Sequence, residues 1–214
     1  MKGLLMKDWA LMKQRGKILL FLVAWGFLMT FIMDSSSFVV GWIVLIAVIT
    51  AISTISYDEY DNCMPFLMSL PVTRRGYAAE KYLFSLLCGA VFWVVGVLIV
   101  LLGGLVNGKG VSLSEELPGM VLLFGLTLFV LAVTIPPQLK WGAEKGRIVL
   151  IILFAVIGGG AFLLSRFSAR LSGLAAKLES LPMWGAVLGA LALGVLLTAV
   201  SVLISVRIME KKEF

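Results

Sequence analysis

Six long stretches of this 214-residue chain, 18–33, 38–56, 83–106, 119–135, 148–164 and 183–206, contain no Asp, Glu, Lys or Arg. A helix needs about 20 largely apolar residues to cross a bilayer, and these runs meet or approach that length. Charged residues make up only 14% of the chain, against roughly 25% in an ordinary soluble domain, and the mean hydropathy is +1.07. A water-soluble fold could not hide that much apolar surface. The expected fold class is therefore an all-α integral membrane protein, with six transmembrane helices in a single domain over 1–214. The first run is short and is expected to start near Gln14, with Arg15 and Lys17 reaching to the membrane surface. All six prolines, Pro65, Pro71, Pro118, Pro136, Pro137 and Pro182, fall outside the runs. Uninterrupted helices call for that placement, because proline lacks an amide donor and clashes with the preceding turn.

Lysines and arginines orient the spans, since short cytoplasmic segments carry the excess. One side holds Lys2, Lys7, Lys13, Arg15 and Lys17 at the start, then Arg74, Arg75 and Lys81, then Lys140, Lys145 and Arg147 in a loop at 136–147, then Arg207, Lys211 and Lys212. The other side holds only Lys109, Arg166, Arg170 and Lys177. Both termini are thus expected in the cytoplasm. A small turn at 34–37, a loop near 107–118 and a longer segment at 165–182 lie outside. The net charge of +6 then reflects loop bias rather than a nucleic-acid partner. Residues 1–16 read as an interfacial helix on the inner leaflet, with Leu4, Leu5, Trp9 and Met12 in one stripe and Lys2, Lys7 and Lys13 largely away from it. A signal peptide or a solvated basic tail are the other readings of such a start.

Several function classes lack their chemistry here. The chain has no histidine, which removes the commonest metal ligand and the usual general base. Cys63 and Cys88 form no metal or redox motif and read as free thiols. The uncharged spans argue against a proton- or sodium-coupled pump, which needs an ionisable or strongly polar site at depth, and no nucleophile–base constellation or metal set suggests a hydrolase. No phosphate-binding G-x-x-x-x-G-K-[ST] loop is present, so the chain is not expected to be an enzyme, and any uphill transport must be driven by a partner. Thr50, Ser53, Thr54 and Ser56 read as packing hydroxyls. Gly158, Gly159 and Gly160, and Gly185, Gly189 and Gly194, suit close helix packing, with a hinge as the alternative for the triple glycine. In the outer segment at 165–182 and just beside it, Phe167, Leu171, Leu174, Leu178 and Leu181 recur at helical spacing, which fits an amphipathic helix, either re-entrant at an exit or simply holding two spans together.

One polar island interrupts the apolar chain: residues 57–82, YDEYDNCMPFLMSLPVTRRGYAAEKY, contain all four tyrosines. It lies on the cytoplasmic side. A short helix is expected at 63–70, broken by Pro71, and Thr73 is placed to cap a helix that runs through Glu80 and Lys81 into the third span. Acidic residues followed by Tyr60, Met64 and Phe66 suit a protein-contact surface; an ordinary loop held at lipid headgroups is the other physical reading.

This stretch resembles the membrane subunit of ABC-2 type transporters. Ser69, Leu70, Pro71, Val72, Thr73 and Arg74, followed by Lys81 and Tyr82, match a segment such permeases carry, and the interfacial helix and six-span layout extend the likeness over essentially the whole chain. The resemblance implies a coupling helix between spans two and three that docks on a separate P-loop ATPase, here through Asp58, Glu59, Tyr60, Asp61, Met64, Pro65 and Phe66. It further implies two ATPase copies holding ATP and Mg, a second permease chain that forms a homodimer, a cavity between the permeases to which spans one, two and five contribute, and a bacterial cytoplasmic (cell) membrane location. The chain looks closest to small permeases that export amphipathic peptides, including phenol-soluble modulin exporters, and an uncharged Met- and Phe-rich interior suits such cargo entering from membrane lipid. Lipid or drug export, a non-transporting scaffold or sensor subunit, and a passive pore are the alternatives.

Overall fold

The computed structural model describes residues 2–33, 35–59, 63–108, 112–166 and 183–212, and every regular element among them is an α-helix. The chain runs α1 (Lys2–Gln14), α2 (Gly16–Ile32), α3 (Ser36–Ile52), α4 (Thr54–Glu59), α5 (Cys63–Ser69), α6 (Arg74–Val106), α7 (Leu113–Trp141), α8 (Ala143–Arg166) and α9 (Met183–Lys211). Each of the six apolar runs falls almost wholly in helix. Four helical stretches, Ser36–Glu59, Arg74–Val106, Ser114–Trp141 and Met183–Lys211, are long and apolar enough to cross a membrane, or five if α1 and α2, bent by 64°, count as one broken span. The outer segment expected at 165–182 lies, from residue 167 onward, outside the described residues.

Local chemistry sets the ends. Ser35 caps α3 by accepting from the Phe38 amide at 3.4 Å, and Thr73 caps α6 by accepting from the Gly76 amide at 3.1 Å. These side chains satisfy amides that have no partner inside the helix. As expected, α5 stops just before Pro71, and the helix capped by Thr73 continues unbroken through Lys81 into the third apolar run.

Two expectations need correction. Pro118, Pro136 and Pro137 lie inside α7, whereas Pro65 falls in α5 as the helix expected at 63–70 requires. The helix survives Pro136 because another helix takes over the missing bond. Pro136 cannot donate to the carbonyl four residues earlier, on Ala132, and the Ser201 hydroxyl of α9 donates there instead, at 2.5 Å. The expected cytosolic loop at 136–147 is accordingly absent. α7 continues to Trp141 and turns at a single residue, Gly142, whose φ of 87° favours glycine, before α8 begins. On α1, Leu4, Asp8 and Met12 face the protein, at positions i, i+4 and i+8, while Trp9 is 61% exposed.

α3 is central, packed between α6 and α7, and α9 lies along α7. Val40, Ile43, Val44 and Ala47 of α3 are fully buried. Close approach of α3 to α7 depends on Gly41. A Cβ there would sit 2.6 Å from Leu123 Cδ1 and 2.8 Å from Leu123 Cβ, so both the tip and the root of the neighbour obstruct it. Gly41→Ala is expected to cost about 1–3 kcal/mol of stability through overpacking. Unfolding of the purified protein in detergent checks this, with Gly189→Ala, where nothing lies within 4 Å, expected to match the wild type.

Candidate functional site

The polar island folds against the chain's own N-terminus. Asp8 of α1, Asp58 of α4 and Lys81 of α6 meet in the interior. The Lys81 ammonium, 1% exposed, donates to Asp8 and lies 2.7 Å from Asp58 Oδ2. Helical spacing assembles the walls. Thr54 and Asp58 are four apart on α4, as are Tyr77 and Lys81 on α6, so each pair shares a face. The Thr54 hydroxyl lies 3.0 Å from Asp8 Oδ2, and the Tyr77 hydroxyl donates to Asp58 Oδ2 at 2.9 Å. Lys7 closes the cluster from its rim. It donates to Asp58 and stands 3.0 Å from Asp8 Oδ1.

Burial pulls the Lys7 ammonium downward, but the hydrogen bond and charge of Asp58, with Asp8 behind them, outweigh that and hold it above its ordinary range. Glu80, also fully buried, adds a third carboxylate. Among the described residues neither of its oxygens has a hydrogen-bond partner, and the Lys81 ammonium is 3.9 Å away. Ions removed from water cost several kcal/mol each unless paired and hydrogen-bonded. Lys81 bridges carboxylates on two other helices, a directional contact of a kind that the hydrophobic effect, being non-directional, does not supply.

The residues on either side of Asp58 are tied down separately. Arg15, at the bend between α1 and α2, donates to the Tyr57 hydroxyl through Nε at 2.8 Å and stacks 4.9 Å from its ring centroid. Glu59 Oε1 lies 3.4 Å from Lys212 Nζ, which also donates to the Leu139 carbonyl at 2.8 Å. Arg75 pairs with Glu210, and Arg74 donates to the Glu210 carbonyl at 2.9 Å. Residues 57–59 are thus tied to the α1–α2 bend, to α1 and α6, and to Lys212, which in turn holds α7.

Of the seven residues assigned to a motor contact, Asp58 and Met64 are buried in the chain's own fold and Glu59 is largely covered. Tyr60 and Asp61 lie outside the described residues. Pro65 and Phe66 face outward, Phe66 at 70% exposure. Lys7, Asp8, Thr54 and Tyr77 were not singled out from sequence as members of a site. Asp8 carried one readable signal: it is the sole acid among the first 33 residues.

A sequence model described as ABC-2 family transporter protein matches residues 3–210. The chain belongs to that family. Comparison with curated proteins and with solved structures finds no match. As an ABC-2 transporter, the chain is a multi-pass membrane component of an ABC transporter, not a member of a catalytic family, and ABC-2 permeases generally work with an ATPase subunit. The charge cluster of this ABC-2 chain sits at the end of the helical stretch Ser36–Glu59, just before the segment that leads into α5.

Proposed function

We propose that the chain is the permease subunit of an ATP-driven exporter and that α5 is where its motor docks. The observation that carries this is a division of labour within the island. Asp58 is buried against α1 and α6 and Glu59 is largely covered beside Lys212, with Tyr57 held at the surface by Arg15, while Pro65 and Phe66 on the next helix are left outward-facing. A push on α5 would reach the spans through Asp58 and Lys81. In this reading Pro65 and Phe66, with Tyr60 and Asp61 beside them, touch the ATPase, and Asp58, Glu59 and Met64 brace the contact from beneath.

The working unit is two permease chains, most simply identical, and two P-loop ATPase subunits holding ATP and Mg. Six spans cross a bacterial cytoplasmic membrane with both termini inside. The cargo is an amphipathic or hydrophobic peptide, as for the phenol-soluble modulin exporters that the sequence resembles, or another toxic amphiphile. Support comes from the uncharged spans and the exposed apolar faces of α2, α8 and α9. The test is affinity purification from native membranes in mild detergent or lipid nanodiscs, with mass spectrometry of what co-purifies. A P-loop ATPase in one-to-one ratio with the permease is expected. Recovery of the intact permease alone under every condition would contradict the reading.

A further inference from the structure

A cavity of about 880 Å³ opens between α1, α2 and the start of the apolar part of α6. Phe84, Cys88 and Phe92 form its inner wall, Leu19 its side, and Trp9 and Lys13 of α1 its rim. The volume is within the range of small-molecule sites, about 300–1,000 Å³. The wall is almost entirely hydrocarbon, and Lys13 is the only charged group that lines it among the described residues. Lys13 is exposed and has no ion-pair partner among the described residues.

Depth identifies the occupant. Phe84 follows the buried Lys81 by one helical turn, and Phe92 lies about 12 Å further along at 1.5 Å per residue. The rim therefore sits where the polar cytoplasmic end gives way to apolar span, and the floor reaches into the inner-leaflet hydrocarbon. Trp9 at the rim suits the headgroup level, where indole rings gather. A slot with an apolar shaft, an interfacial tryptophan and a lone unpaired cation at its mouth is complementary to an amphiphile with an anionic head.

We propose that this cavity holds one acyl chain of an anionic phospholipid, with its phosphate on Lys13. The lipid wedges α1 against α6 directly beside the charge cluster, since Met12, Phe84 and Cys88 belong both to the cavity wall and to one small buried cluster with Ala51. The site rests on the membrane placement of the chain and not on the motor contact, so either can fail without the other.

The test is native mass spectrometry of the purified chain released from nanodiscs of phosphatidylglycerol and phosphatidylcholine in equal parts. One phosphatidylglycerol per chain is expected to survive conditions that strip phosphatidylcholine. Lys13→Glu is expected to lower that retention by about fivefold or more, the weight of a basic residue at an anionic headgroup, while Lys17→Glu, close by but off the cavity, does much less. Val91→Trp, which fills the cavity from its lipid side, is expected to lose the bound lipid, and circular dichroism of the same sample reports whether it is folded. Equal retention of both lipids, equal loss in Lys13→Glu and Lys17→Glu, or full retention in folded Val91→Trp would overturn the proposal. So would displacement of phosphatidylglycerol by an added amphipathic helical peptide, which would make the cavity an entry site for cargo.

Discussion

Lys81→Met is expected to destabilise the folded chain by about 3–5 kcal/mol, the cost of removing one partner from a buried ion pair. The side chain is 1% exposed and contacts both Asp8 and Asp58. Without it, two buried carboxylates share Lys7 alone, whose side chain is 30% exposed, and Glu80 keeps no cation within 4.0 Å among the described residues. Methionine reproduces the lysine side chain out to its Cε and lacks only the terminal ammonium, so most packing is preserved and the loss reports chiefly charge. Lys7→Met, at the rim, should cost clearly less, because its own side chain is 30% exposed and Lys81 still pairs with both buried carboxylates.

A cycle that combines Lys81→Met with Asp8→Asn should recover part of the loss, since the pair is in direct contact and such pairs couple by about 0.5–3 kcal/mol. Unfolding in detergent by titrated denaturant measures all of these. A Lys81→Met protein as stable as wild type would mean that the three helices are held by apolar packing and that the cluster is not a brace.

Phe66→Asp is expected to leave the isolated chain as stable as wild type and to weaken its hold on an ATPase subunit by about 30-fold or more. The first half follows from 70% exposure, since surface substitutions of this kind stay within about 0.5 kcal/mol. The second follows from the energetics of interface anchors: a buried aromatic hot spot contributes at least about 2 kcal/mol, and about 1.4 kcal/mol is tenfold. Aspartate adds the desolvation of a charge to the loss of the ring. Co-purification yield and the unfolding midpoint, read on the same preparation, separate contact from folding. A destabilised chain with undiminished ATPase recovery would reverse both expectations and move the docking surface away from α5.

Periodic and one-dimensional signals were legible in the sequence. Apolar runs gave the long helices, and Thr73 gave the start of α6. Pro71 marked the end of α5. Interactions across long sequence separations were not. Asp8 and Lys81 are 73 residues apart, and nothing along the chain pairs an acid in α1 with a lysine in α6. Hydropathy likewise does not show that Asp8 is buried on α1, because a charge is buried there only with a partner supplied from another helix. Pro136 misled for the same reason. Proline is read locally as a helix breaker, yet its orphaned carbonyl at Ala132 is satisfied by Ser201, 69 residues further on. The candidate site divided along this line: the outward Phe66 was legible as an aromatic in a polar island, whereas the inward roles of Asp58 and Glu59 depend on Lys81, Tyr77 and Lys212.

The central claim is that a motor pushes on α5 and that the push passes inward through Asp58. Photo-crosslinking tests the first contact directly. A benzophenone amino acid placed at Phe66, and separately at the lipid-facing Leu83, is irradiated in native membranes and the adducts are identified by mass spectrometry. The account predicts an adduct between position 66 and a P-loop ATPase, and none from position 83. No protein adduct at position 66, or the same adducts from both positions, would contradict it.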